Sequence, residues 1–358
     1  MQTMDDKVKT HYIKVDPWQP AETDIAQCGE IIRAGGLVAF PTETVYGLGA
    51  NALDREACRR IFQAKGRPQD NPLIVHIADA QDVQMLTRSG STLAALCIDR
   101  FWPGPLTLVL PKAAQIPLEV TAGLDTVAIR MPDHPVALAL IKQAGVPIAA
   151  PSANLSGRPS PTLAEHVRED LGGRIDAIID GGACRIGLES TVLDLTEAVP
   201  IILRPGGVSR EALEAILGKV NLDPGITDAG MKPRSPGVKY QHYAPRGQVI
   251  LVEGERRLVQ VRIETELCKA REQGLKVGIL SSEESAACYK QLKPDYLAVL
   301  GAKQEPGQVA AKLYHTLRSC DHNNIDLILA ETFATSGMGA AVMNRMEKAA
   351  GYHRIVEI

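Results

Sequence analysis

Apolar residues recur at helical spacing from Ile25 to Ile32, and the pattern stops at Gly35-Gly36, a pair suited to ending a helix. The run LVAF (Leu37 to Phe40) then reads as a strand, followed by the polar turn PTET. A second helix is predicted from Asp54 to Ala64, with Gly66 and Pro68 breaking it at once. Asn71-Pro72 leads into an apolar strand, Leu73 to Ile77, and a further strand is expected over Val146 to Ala150. Helices and strands alternate in this way as far as LEAIL (Leu213 to Leu217). Most strands are short apolar runs without strict alternation, which predicts a sheet covered on part of both faces. From Gly218 to Gly247 the chain is rich in Pro and Gly without a sustained period, and reads as a linker. Beyond it, VILV (Val249 to Val252), KVGIL (Lys276 to Leu280), YLAVL (Tyr296 to Leu300) and DLILA (Asp326 to Ala330) are separated by helix-like stretches. That alternation predicts a smaller parallel α/β domain. It lacks a Gly-x-Gly-x-x-Gly loop, so no dinucleotide is assigned to it.

With 358 residues the chain has room for two domains, and 45% apolar residues suit a globular protein. Net charge is −3, with 24 Lys/Arg against 28 Asp/Glu in residues 1–245 and 15 against 14 in residues 246–358. Neither part is a polycation, so any RNA contact must be local. The seven cysteines are scattered and never form Cys-x-x-Cys, which argues against a disulfide framework and a structural zinc site. The start, MQTMDDKVKTHYIKV, has no apolar core of a secretory signal. The richest apolar stretch, Val136 to Ala150, is interrupted by Lys142, Gln143, Gly145 and Pro147, short of a bilayer span. A cytoplasmic protein without membrane partners is expected.

Two turns carry candidate chemistry. Lys65 and Arg67 flank the glycine that ends the Asp54–Ala64 helix, and two cations fixed at a helix-to-strand turn suit a polyanion. Ser152-Ala153-Asn154 follows the Val146–Ala150 strand, where open α/β sheets place ligands. Together the turns read as one nucleotide-sized site. There is no Gly-x-x-x-x-Gly-Lys-Ser/Thr phosphate loop, and no Gly-x-Ser-x-Gly elbow to make Ser152 a nucleophile. Arg130 ends the strand-like TVAIR, a place to hold a carboxylate bidentately. Glu43 and Glu189 are candidate magnesium-facing carboxylates, but their spacing matches no metal motif, so no metal residue is assigned.

Several blocks occur in order: PTETVYGLGANA (Pro41 to Ala52), KGRPQDNPL (Lys65 to Leu73), FWPGPLTLVL (Phe101 to Leu110), VAIRMPDHP (Val127 to Pro135), APSANLSGRPSPT (Ala150 to Thr162), ESTVLDL (Glu189 to Leu195) and LRPG (Leu203 to Gly206). RSPGVKYQHYAP (Arg234 to Pro245) and MNRMEKAAGY (Met343 to Tyr352) follow. In these blocks the chain resembles the YrdC-like family in its two-domain form, the threonylcarbamoyl-AMP synthases. The resemblance implies a YrdC-like twisted mixed-sheet catalytic domain over 22–217, a linker and active-site lid over 218–247, and a Rossmann-like parallel α/β domain over 248–358. It implies a nucleotidyltransferase that converts L-threonine, bicarbonate or CO2 and ATP into L-threonylcarbamoyladenylate and pyrophosphate. Magnesium is expected with the ATP. A separate transferase machinery would then modify the adenosine beside the anticodon of tRNA.

Carried over residue by residue, the resemblance places Lys65, Arg67, Ser152 and Asn154 at the reacting centre. It assigns Arg67, Asn71, Thr126, Ser152, Ser160, Arg204 and Ser235 to ATP, and Thr44, His76, Arg130 and Ala150 to L-threonine. Lys232, Arg234, Lys239 and His242 make the segment around Ser235 locally basic. The terminal MNRMEKAA is expected to be a helix used for packing or for docking the linker. A rival reading is a double-stranded-RNA or tRNA-binding module without this catalysis, which the charge balance disfavours as the main role. Carbamoyl-adenylate chemistry of the hydrogenase-maturation type is a second rival, but the chain lacks the cysteine-rich zinc segments expected for it.

Overall fold

The computed structural model describes residues 8–88, 90–227 and 243–357. They fall into two compact units. The first holds the described chain up to residue 227, except Gly157–Pro159 and Ile186–Leu188, which cluster with the second unit, residues 243–357.

Short apolar runs become the strands of the first unit: β1 (His11–Lys14), β2 (Val38–Phe40), β3 (Gly47–Asn51), β4 (Ile74–His76), β5 (Leu106–Pro111), β6 (Thr126–Arg130), β7 (Ile148–Ala150), β8 (Ala177–Asp180), β9 (Thr191–Asp194), β10 (Ile201–Arg204) and β11 (Asn221–Leu222). They form one 11-stranded sheet in the order β1-β8-β2-β3-β7-β4-β6-β5-β9-β10-β11. It is mixed: β4 and β6 run parallel, whereas β7 is antiparallel to both β3 and β4. Its edge strands β1 and β11 lie outside residues 22–217, so the sheet reaches beyond the segment that the sequence pattern marks out. HYIK and Asn221-Leu222 are short and partly polar, and give no apolar run to detect.

Helices cover this sheet unevenly. On one face, Glu22–Arg33 and Pro135–Ala144 bring Ile25, Ile32, Leu140 and Ile141 against Val38, Phe40, Ile148 and Ala177. The larger core on the other face joins Leu48, Ile61, Phe62, Val75, Leu108, Ile129 and Leu193. A small third cluster, Ile74, Val109, Ala128, Val192 and Leu203, gathers residues of β4, β5, β6, β9 and β10.

In the second unit β12 (Gln248–Glu253), β13 (Val277–Ser282), β14 (Tyr296–Gly301), β15 (Leu327–Glu331) and β16 (Arg354–Val356) are all parallel, in the order β14-β13-β15-β12-β16. This is the expected parallel α/β sheet, with β15 inserted between the first two strands and an additional edge strand, β16. Helix Arg256–Glu272 packs Val259, Ile263 and Leu267 on it. MNRMEKA lies in helix Met338–Ala349. From that helix the buried Arg345 sits 5.6 Å from the centre of the Tyr243 ring, which stacks on Tyr314 at 5.3 Å. The helix thus packs on Tyr243, the first described residue after 242.

Candidate active site

Register decides which side chains share a face of the first sheet. His76 pairs with Arg130 on β6 and Ile148 on β7, while Ile74 pairs with Ala128 and Ala150. Paired residues point the same way and a strand alternates with period two. His76, Arg130, Ala128 and Ala150 therefore project together, and Thr126 joins them at the start of β6. Ser152, two residues beyond Ala150, bridges to Gly47 on β3. Arg130 and Thr126 stand four residues apart, roughly 13 Å along the strand at ~3.3 Å per residue. Between these rows only the small Ala128 and Ala150 intervene on β6 and β7. A cation and a histidine lie at one end of the face and hydroxyls at the other, with Ile74 of β4 beside the two alanines in the row between.

The Lys65–Arg67 turn is shaped by its glycine. Asp54 caps helix Arg55–Lys65 by accepting from the Glu56 and Ala57 amides, worth about 1 kcal/mol. Gly66 then turns with φ +60°, a left-handed conformation that ends the helix without a Cβ penalty. Lys65 is buried rather than solvated, and its Nζ donates to the carbonyls of Ser152 and Asn154, the latter at 2.5 Å. A buried ammonium needs such partners. The two turns singled out in the sequence are thus joined through one side chain, whose charge is directed at backbone carbonyls. Arg67 Nη2 donates to the carbonyls of Asn71 and Pro72 at 3.4 Å each. In the other turn Ser152 Oγ donates to Asn154 Oδ1 at 2.6 Å, and Asn154 Nδ2 donates to the Leu155 carbonyl at 2.8 Å.

At the opposite end Arg130 is buried among three partners. Its Nε donates to Gly104 O at 3.2 Å, its Nη1 donates to Thr44 Oγ1 at 2.9 Å, and its Nη2 lies 2.6 Å from Glu43 Oε1. Thr44 is held in the turn by Thr42, whose Oγ1 lies 2.8 Å from Thr44 Oγ1. His76 packs edge-on to Phe40, with ring centres 6.0 Å apart, and its Nδ1 donates to the Ile74 carbonyl at 3.1 Å. Burial, reinforced by the Arg130 charge, lowers its pKa to about 3, so the imidazole is neutral. Glu43, read from sequence only as a candidate magnesium-facing carboxylate, is the ion partner of Arg130. The one signal for it is a charge placed inside the otherwise neutral turn PTETVYG.

Arg204, at the end of β10, donates from Nε and Nη2 to the Ser190 carbonyl at 3.1 and 3.0 Å. The chain turns directly over that contact: a Cβ on Gly206 would come within 2.3 Å of the Ser190 carbonyl carbon. Ser160 Oγ donates to Glu189 Oε1 at 2.6 Å, so Glu189 too has a protein partner. Among the described residues no group of three His, Cys, Asp or Glu side chains is arranged to hold a metal. Burial pushes the thiols of Cys28, Cys58 and Cys320 up to about 12 and that of Cys97 to about 11, so none of these is a ready nucleophile. Ser235 and the neighbouring Lys232, Arg234, Lys239 and His242 lie outside the described residues. No described helix is long and apolar enough to cross a membrane.

Comparison with known proteins places the chain. Residues 30–206 match the family model described as "Telomere recombination", and residues 208–351 match "Threonylcarbamoyl-AMP synthase, C-terminal domain". The threonylcarbamoyl-AMP synthase of Bacillus subtilis (strain 168) is 50% identical over 347 residues, covering 96% of this chain and 98% of that protein. That of Pyrococcus abyssi (strain GE5 / Orsay) is 51% identical over 328 residues, covering 91% and 94%. The crystal structure of P. abyssi Sua5 complexed with L-threonine superposes with a TM-score of 0.92 at 49% identity, covering 98% of this chain and 100% of that one. With both halves matched in order and the alignment running nearly end to end, the chain belongs to the threonylcarbamoyl-AMP synthase family.

Proposed function

We propose that this chain, as a threonylcarbamoyl-AMP synthase, uses the β4–β6–β7 face to join L-threonine, CO2 and ATP. The observation that carries the assignment is the division of that face into an Arg130–His76 end and a Ser152–Thr126 end, with Ile74, Ala128 and Ala150 in the row between. The threonine carboxylate is assigned to Arg130, with Thr44, His76 and Ala150 around it. ATP is assigned to Arg67, Asn71, Thr126, Ser152, Ser160 and Arg204, and Ser235 is kept as an expectation from sequence. Lys65 serves mainly as a positioning residue, because its ammonium ties the Ser152–Asn154 turn to the Arg67 turn.

The threonine amine attacks CO2 and loses a proton to give a carbamate. A carbamate oxygen then attacks the α-phosphorus of ATP, the bond to the β-phosphate breaks, and pyrophosphate leaves. Such a reaction asks the protein for alignment and charge neutralisation, not for a covalent intermediate. Magnesium would arrive with the ATP. We assign residues 22–217 to catalysis, 218–247 to a linker and 248–358 to a supporting domain. The product passes to a separate transferase that modifies tRNA in the cytoplasm. Family membership favours this reading over an RNA-binding module without catalysis.

Mass spectrometry of a reaction with ATP, L-threonine and 13C-bicarbonate tests it. Pyrophosphate release should need all three substrates together, and the adenylate should carry the label. Plain ADP and phosphate would overturn the assignment.

A further inference from the structure

Glu43 is the charged side chain that the substrate assignments leave without a task. It is 1% exposed, and its Oε1 lies 2.6 Å from Arg130 Nη2. That contact is an ion pair whose geometry is off the hydrogen-bond line. Both Glu43 oxygens and Arg130 Nη2 consequently have no hydrogen-bond partner among the described residues. Three charged atoms in this state, buried together at the end of the ligand face, call for an explanation, since buried polar groups are nearly always hydrogen-bonded. Three other charged groups of the site have directed partners: Lys65 on two carbonyls, Arg204 on Ser190 and Glu189 on Ser160.

An arginine has five N–H donors. Nε and one N–H of Nη1 are engaged by Gly104 and Thr44, which leaves N–H groups on Nη1 and Nη2 for an incoming carboxylate. Glu43 stands against the same guanidinium with Oε2 unengaged. An α-amino acid carries its carboxylate and its ammonium on one carbon, so a cation and an anion already in contact are spaced to meet both. We infer that Glu43 is the amine-recognition residue of the threonine pocket: the substrate carboxylate binds Arg130 while its ammonium donates to Glu43 Oε2. The pocket then selects a zwitterion, because each of the four charges gains an opposite neighbour beside two buried side chains. This inference rests on the assignment of L-threonine to Arg130.

The test compares L-threonine with (R)-3-hydroxybutyrate, which keeps the carboxylate and hydroxyl and replaces the amine by hydrogen. Each is titrated calorimetrically into the full-length protein and into Glu43→Gln. Leaving one member of a buried charge pair unmatched weakens binding by roughly 30-fold to several thousand-fold. The unmodified protein should therefore bind threonine at least about 30-fold more tightly than hydroxybutyrate. Glu43→Gln should weaken threonine by about that factor and change hydroxybutyrate little, bringing the two ligands together. Equal weakening of both ligands would show that Glu43 only supports Arg130, and would overturn the inference. So would undiminished discrimination in the variant. If the variant does not fold, the unmodified protein still decides: comparable affinity for the two ligands removes the amine site. Failure of the unmodified protein to bind threonine at all would instead remove the assignment on which the inference rests.

Discussion

Replacing Arg130 by Met removes a guanidinium that touches Gly104, Thr44 and Glu43 at once. The side chain stays long and apolar, so little volume is lost. The main consequence is a Glu43 carboxylate buried with no compensating charge. Breaking a buried pair from one side costs roughly 3–5 kcal/mol, a large share of the ~5–15 kcal/mol that holds a typical domain together. With a urea dependence of about 2–3 kcal/mol per molar for a domain of this size, the unfolding midpoint should drop by about 1–2.5 M. Tryptophan emission reads the correct unit. The chain has two tryptophans, Trp18 and Trp102, both in the first unit, and Trp102 is buried with its Nε1 donating to Leu106 O at 2.7 Å. Adding Glu43→Gln to Arg130→Met neutralises the stranded charge and should restore at least about 2 kcal/mol, since an unpaired neutral amide costs far less than an unpaired carboxylate. The reasoning is refuted if Arg130→Met loses less than about 1 kcal/mol, or if the second substitution restores nothing.

His76 supplies a pH test. Its folded pKa of about 3 lies below the ordinary 6.5, so between these values the unfolded chain binds the extra proton and stability falls as pH drops. His76→Gln should remove about 1.4 kcal/mol of stability loss per pH unit below 6.5, seen by comparing urea midpoints of the two proteins at about pH 7 and pH 5. Arg67→Ala should weaken ATP binding by roughly 10-fold to 100-fold, the range for a hydrogen bond to a charged group. Calorimetry of threonine without ATP should show that affinity unchanged, and loss of threonine binding to the same extent would break the division of the face into two ends.

Local signals were legible in the chain because they depend on a few neighbouring residues. Asp54 before the helix and Gly66 after it set the ends of Arg55–Lys65, close to the Asp54–Ala64 read from spacing. Apolar runs announced β4, β6 and β7 and the first four strands of the second unit, whereas the polar β1 and the short β16 had no such signature. The family resemblance of the motifs could nominate Thr44, His76 and Arg130, but not how they meet. The Arg130–Thr44 bond joins residues 86 positions apart, and Lys65 reaches Ser152 across 87. Such contacts follow from strand order and register, above all from β7 lying between β3 and β4. A slip of one residue would turn His76 and Arg130 to the opposite face. Sequence by itself determined the elements, their ends and the chemistry available to them. Only the tertiary structure decided that Lys65 binds backbone carbonyls and that Glu43 pairs with Arg130, because burial obliges each charge to find a partner and only the folded sheet determines which partner is within reach.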